Sequence, residues 1–575
     1  MSGSISSDGE RVRRQAAELA AALSRTAGRL ATIAQERAML RMLGVDGLDR
    51  DGHPLAASTA ERYCGSDRGR LARGVILPFA VALLEYDLPA RELGVEVAAG
   101  AIDLGLEAEL LDRPERLAAA EAHAAALVAG ALARFDANKT AARDMRDVLG
   151  LAGEPRLCVP LRAAELGPAA VETKALIGEG ADVVQVRVPA SWEFAEARRN
   201  AGLETPGLFE VEGRPVGEGS GNVSGGNVSG GRVSGGRGSG GRAAGRRLGS
   251  RRRLDVPQRV DRGLVPAGSQ RGLASLRKAA DEAAAERGCY AGLMTVTSAF
   301  AAPEQAVVAA FERIDFVEAD PIREIVEDNV DPERALADHA FAHRLQARSG
   351  CGVVIGPGPL ALGADVASGI PSDAATRAGR ALAPQALGVE LALADGLPVD
   401  RLLLGAVPDW VAGDGDARSL LVQAWLRRLV FPGHRLVIGG PRADGQRPDR
   451  VSALVTALSG AAASLVVRGR DAGSVAESAA DLRAAASTAE ALRAALGDGS
   501  LHGDAADLAA RTLRAASAAL ERLAGEGWGS LLGPDGRGDE AGRFGRGAVA
   551  ERSAGSTSST RLLAALAVPG PGSGR

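Results

Sequence analysis

Apolar positions follow two different rhythms along this chain. In the first part Ala17, Leu19, Leu23, Leu30, Ile33 and Leu40 recur at the spacing of one helix face, which predicts a helix over 10–44. Ala/Leu-rich stretches at about 70–85, 89–100 and 115–148 lack strand-like alternation, so 1–150 reads as an N-terminal helical domain. Short β-branched runs then take over: Leu157–Leu161, Asp182–Val188, Ala291–Thr297, Ile314–Glu318, Gly352–Ile355, Arg401–Ala406, Arg435–Ile438 and Ser464–Val467. Amphipathic helical segments separate most of them, including Leu273–Ala285, Pro303–Arg313, Pro332–Arg348 and Asp373–Ala394. Alternation sustained in this way predicts an α/β chain with a closed (β/α)8 barrel of the TIM type over 151–470. An open doubly wound sheet is the rival, but its Gly-rich first turn is missing after Leu161. Helical patterns return at 474–496 and 504–524, and a Gly/Ser-rich tail begins near Gly533. Residues 471–575 are therefore expected to be C-terminal helices and a flexible tail.

One segment breaks the pattern between the second and third predicted strands. Residues 217–250 contain SGNVSGGNVSGGRVSGGRGSGG, followed by Arg251–Arg253. So few apolar side chains cannot offset the entropy of ordering, and an insertion of about 213–255 is expected to be a disordered surface loop. Its arginines suit either simple solvation or contact with an anionic partner.

Composition narrows the function classes. The chain has 575 residues, enough for a barrel of roughly 250 residues with flanking helices. Its formal net charge of −4 gives no general pull toward nucleic acid. No uninterrupted apolar run reaches the roughly 18 residues of a membrane span, and Met1–Arg14 lacks a signal-peptide core, so a cytoplasmic protein is expected. Cys64, Cys158, Cys289 and Cys351 are too far apart for a Cys-x-x-Cys site and read as small core residues.

In a barrel of this type the chemistry sits at the C-terminal strand ends. Those ends carry Arg162, Arg187, Ser191, Thr295, Thr297, Ser298, Glu318, Asp320, Gly439, Gly440, Arg468 and Arg470. Arginines, hydroxyls and glycine amides on one rim suit a phosphate-bearing ligand; equally, the arginines can pair with Glu318 and Asp320 in a structural network. His339 and His343 stand four apart in DHAFAHRL, a spacing that can hold a metal, but without an accompanying carboxylate motif they read as structural. No Walker loop, G-x-S-x-G elbow or H-E-x-x-H helix occurs.

Several blocks resemble one family. TIAQERAMLRMLGVDGLD (Thr32–Asp49) is similar to T-x-x-x-E-R-x-x-x-R-L-L-G-[IV]-D-G-x-D of the lysine 5,6-aminomutase alpha subunits, through Glu36, Arg37, Arg41, Gly44, Asp46 and Gly47. AAGAIDL (Ala98–Leu104), EGADVVQVR (Glu179–Arg187), SQRGLASLRKAADE (Ser269–Glu282) and TSAFAAPEQAVVAAFERID (Thr297–Asp315) resemble further family blocks in family order. The resemblance implies a divergent subunit of an enzyme that uses adenosylcobalamin and pyridoxal 5′-phosphate. Such enzymes move a terminal amino group of a D-lysine-like amino acid to the adjacent carbon by radical chemistry. It also implies a beta-type partner subunit carrying the cobalamin-binding Rossmann domain, in keeping with the lack of a D-x-H-x-x-G motif here. By motif position Arg187, Ser191 and Ser298 resemble the phosphate-binding groups, and Ser269 and Gln270 fall in an adjacent ligand-facing loop. Arg323 stands where the family places an aromatic residue on the pyridoxal ring.

Other departures cluster on the substrate side. Gly356–Leu362 replaces an acidic, amide-bearing segment, and Gly405–Pro408 lacks a family histidine. Two alternatives therefore stay open: a non-catalytic barrel homologue that binds or regulates a partner, and a barrel enzyme acting on another phosphorylated ligand.

Overall fold

The computed structural model describes residues 2–65, 67–162, 166–186, 267–297, 301–326, 330–356, 373–406, 417–439, 448–465, 474–496, 504–528 and 549–551. The insertion expected at about 213–255 lies outside the described residues. Eight parallel strands close into a barrel in chain order. They are β2 (Arg156–Pro160), β3 (Val183–Val186), β4 (Gly292–Val296), β5 (Phe316–Glu318), β6 (Gly352–Ile355), β7 (Leu402–Ala406), β8 (Arg435–Gly439) and β9 (Ala463–Leu465). The ring shuts where β2 pairs with β9 through Arg156–Ala463 and Cys158–Leu465. Each of the eight runs expected from the sequence overlaps one of these strands.

Strand alternation sorts the side chains into two sets. Leu157, Val159, Val184, Leu293, Val317, Val353, Leu402, Leu404 and Ile438 face the surrounding helices and belong to the main core. Cys158, Val183, Met294, Val354, Leu403, Val437 and Ala463 point inward and form a separate plug inside the barrel. β5 and β6 approach closely at Gly352, where an added Cβ would lie 2.6 Å from Phe316 Cδ1. The same parity puts Gln185, Glu318 and Gly405 inward, one step nearer the C-terminal rim.

The predicted helix over 10–44 is in fact two helices, Ser2–Ala27 and Ile33–Met42, separated by β1 (Leu30–Thr32). The apolar spacing runs on through the break, which hides it; the stop comes from Gly28 and the start from Thr32, whose Oγ1 accepts the Gln35 amide at 3.2 Å as an N-cap. β1 pairs antiparallel with β10 (Val549–Glu551), inside the stretch expected to be a flexible tail. The 70–85 pattern is also divided, into Arg68–Arg73 and Ile76–Tyr86, at Gly74 with φ +80°. Helices at Leu55–Cys64 and Leu104–Glu109 complete this part; their short, polar-rich turns gave little periodic signal.

Two apolar clusters organise the helices. Ile5, Val12, Ala16 and Ala20 of the first helix join the barrel core, together with Leu513, Ala516 and Leu520 of the Asp504–Glu526 helix. The remaining N-terminal helices form their own core, sealed on the barrel by Ala302, Ala306, Phe311, Phe341 and Leu345. Among the described residues one helix, Pro114–Leu149, is long and apolar enough to cross a membrane by length and composition. Alanine gives it that hydropathy, and its buried positions Ala120, Ala124, Val128, Ala131 and Phe135 form one face packed in the second core.

Candidate functional site at the C-terminal rim

The described part of the rim is built around one carboxylate. Glu318 is the last residue of β5 and points into the barrel. Its Oε2 accepts a hydrogen bond from Gln185 Nε2 of β3 at 2.9 Å, and its Oε1 lies 3.3 Å from Arg323 Nη1. Arg323 Nη2 also donates to the Thr297 carbonyl at 3.4 Å, so one guanidinium connects the ends of β4 and β5. The short helix Pro321–Val326 holds that arginine in place. Asp320 starts it by accepting the amides of Ile322 and Arg323 at 3.0 and 3.2 Å.

Asp320 is buried, and burial pushes its carboxyl up to about 6 against the opposing pull of Arg323 and of these amides. Behind it, His339 Nε2 lies 3.0 Å from Glu324 Oε1 and His343 Nδ1 lies 2.9 Å from Asp395 Oδ2. Burial pulls the His339 imidazole down, but the carboxylates of Glu324, Asp320 and Asp338 outweigh it and the net shift is upward. For His343 burial wins over Asp395, and the shift is downward. Each histidine thus faces its own carboxylate between helices, consistent with the structural reading.

On the three strands that follow Glu318 round the barrel the inward positions at the rim are small. Gly356 follows β6, Gly405 lies on β7 and Gly439 ends β8. A Cβ added at Gly356 would meet nothing nearer than Glu318 Oε1 at 3.9 Å. The rim therefore combines a polar cluster from β3 to β5 with glycines on β6 to β8, next to it round the barrel, which let a ligand approach the backbone closely.

The residues expected from the sequence fall into three groups. Arg187, Ser191 and Ser298 lie outside the described residues. Ser269 and Gln270 lie in the first turn of the Ala267–Arg287 helix, and Gln270 Nε2 donates to Glu312 Oε1 at 2.9 Å, joining that helix to the next one. Arg323 stands at the rim, paired with Glu318, a partner not foreseen for it. Gln185 was not singled out from the sequence; a lone amide at an inward strand position, between valines, is the signal that marks it.

A closed barrel of eight parallel strands with helices around it defines the class: a TIM-barrel protein. The family described as the D-lysine 5,6-aminomutase TIM-barrel domain of the alpha subunit matches residues 6–191 and 267–441, and the chain belongs to it. The lysine 5,6-aminomutase alpha subunit of Fusobacterium nucleatum subsp. nucleatum is 24% identical over 405 residues, covering 70% of this chain and 64% of that protein. The Acetoanaerobium sticklandii alpha subunit is 22% identical over 405 residues, with the same coverage. The chain thus spans about 64% of the length of these curated relatives.

Proposed function

We propose that this chain is the alpha-type subunit of a cytoplasmic aminomutase that moves the terminal amino group of a basic, D-lysine-like amino acid to the adjacent carbon. Adenosylcobalamin and pyridoxal 5′-phosphate are its cofactors. The observation that carries the reading is the polar cluster of Gln185, Glu318 and Arg323, continued round the mouth by the glycines 356, 405 and 439, in a barrel of this family. That rim fits pyridoxal phosphate: the glycines leave room for a flat ring, and the planar Arg323 guanidinium is a group on which a ring can stack. Arg187, Ser191 and Ser298 are the proposed phosphate groups, with Ser269 and Gln270 beside them. Bound there, the cofactor would supply a conjugated electron sink for the migrating amine, while cobalamin would supply the radical. The protein's part is to orient these groups and keep water out. Cobalamin is assigned to a beta-type partner subunit, since the relatives are themselves named alpha subunits.

The test is copurification with a candidate partner containing D-x-H-x-x-G, followed by a pyridoxal absorbance band and cobalamin binding. Uptake of both cofactors by the complex is expected; no uptake refutes the reading. The second reading, a non-catalytic homologue, is favoured by one observation: Arg323 occupies the aromatic position and is already engaged by Glu318. Cofactor uptake without turnover of any basic amino acid would select it.

A further inference from the structure

We propose that the opposite, N-terminal face of the barrel carries a second site, for a small multiply charged anion. A cavity of about 390 Å³ lies between the Pro114–Leu149 helix and the residues that lead into β5, β6 and β7. That volume is in the range of small-molecule sites. Its lining includes five cationic side chains, Lys139, Arg143, Arg146, Arg313 and Arg401, and no carboxylate.

The carboxylates that these groups touch serve as anchors outside the lining. Arg146 Nη2 lies 2.6 Å from Asp315 Oδ1, and Arg313 Nη2 lies 2.5 Å from Asp281 Oδ2. Arg277 shares both of those aspartates, so three arginines divide two negative charges. Arg401 is fixed by donating to the Gly350 carbonyl at 2.9 Å. The remaining pairs are weak: Arg143 with Asp147 at 3.7 Å, both largely exposed, and Arg401 with the exposed Asp400 at 3.6 Å. Each guanidinium has five donors, so one anchored nitrogen leaves others for a ligand.

A simpler account is helix capping, because Lys139 donates to the Arg348 carbonyl at 3.3 Å and Arg401 to that of Gly350. Capping explains two of the cations. It does not explain why Arg143, Arg146 and Arg313 line the same hollow, where three arginines share Asp281 and Asp315 and the local charge stays positive. Charge-assisted, forked hydrogen bonds to phosphate or carboxylate oxygens are the chemistry that such a set offers. Bound there, the ligand would link the N-terminal helices to the barrel at the end remote from the rim.

Calorimetric titration of the full-length protein with pyrophosphate and, separately, with citrate tests the assignment. Saturable binding is expected, weakened about tenfold or more in Lys139→Gln/Arg143→Gln, since two charged donors are lost. Arg187→Ala, which alters the proposed rim phosphate group, should leave this binding unchanged. The control Arg514→Gln, on the far C-terminal helix, should as well. Pyrophosphate alone binding would identify a phosphorylated ligand, citrate alone a polycarboxylate, and both the shared chemistry. No saturable binding of either anion overturns the proposal. So does full affinity in the double variant, or loss of binding in Arg187→Ala.

Discussion

Arg41 Nε donates to Glu304 Oε1 at 3.1 Å, with both side chains almost entirely buried. The pair crosses between the Ile33–Met42 helix and the Ala302–Phe311 helix of the barrel. Arg37 stands on the same carboxylate at 3.9 Å and reaches Glu61 at 3.1 Å, while Glu36 accepts the Val75 amide at 2.7 Å. Breaking a buried pair from one side strands the other charge. Arg41→Ala is therefore expected to cost about 3–5 kcal/mol by urea unfolding. Arg41→Met combined with Glu304→Leu should recover much of that. A loss under about 1 kcal/mol in the single variant would show that Glu304 is held by Arg37 instead.

The rim aspartate gives a pH signature. Burial raises the Asp320 carboxyl from 3.8 to about 6, so the folded state holds a proton there that the unfolded chain releases earlier. The stabilising contribution of this group is full below about pH 4 and is lost as pH rises through about 6. Asp320→Asn keeps an acceptor for the two helix-starting amides but cannot ionise. The variant should gain on wild type between about pH 4 and 6.5, by on the order of 2–3 kcal/mol, because each tenfold change in proton affinity is worth about 1.4 kcal/mol. Parallel unfolding curves across that window would refute the raised ionisation.

Arg323 and Glu318 can be separated by function. Arg323→Ala should weaken pyridoxal phosphate uptake by the partnered complex, and Arg323→Tyr should retain it, because an aromatic ring replaces the stacking surface. Equal affinity in wild type and Arg323→Ala, measured from the absorbance band, would remove Arg323 from the cofactor site.

Two glycines are required by close approach. A Cβ at Gly379 would lie 2.6 Å from Ala515 Cβ and 2.7 Å from the Thr512 carbonyl oxygen, where the Ala374–Ala394 and Asp504–Glu526 helices pack. One at Gly352 would collide with the Phe316 ring. Gly379→Ala and Gly352→Ala are each expected to lower stability by about 1–3 kcal/mol, the usual cost of overpacking. Thermal unfolding at the wild-type midpoint for either would contradict these packings.

The barrel was readable because eight short apolar runs alternate with amphipathic helices, a signal carried by many positions at once. The site was less so. Family blocks with the clearest spelling turn out to carry packing: Arg41 with Glu304, and Arg277 with Asp315 at 3.1 Å, join separate blocks through buried ion pairs. A run of letters cannot distinguish an arginine that holds helices together from one that holds a ligand. Nor does it say which strand residues face inward until the register is known, which is why Gln185 passed unnoticed. The break at Gly28 was lost for a related reason: helix spacing in Leu30 and Ile33 persists by coincidence across a turn.

The pairing of β1 with β10 bears on how the chain is made. Leu30–Thr32 leaves the ribosome early, whereas Val549–Glu551 arrives after more than five hundred further residues. The first helix has the same delay, since part of its apolar face packs beside the helix ending at Glu526. During synthesis these early segments stay without their final neighbours, as contacts so distant in sequence close slowly. A chain cut short before residue 549 would emerge with an unpaired strand edge, and one cut before residue 504 with an uncovered first helix as well.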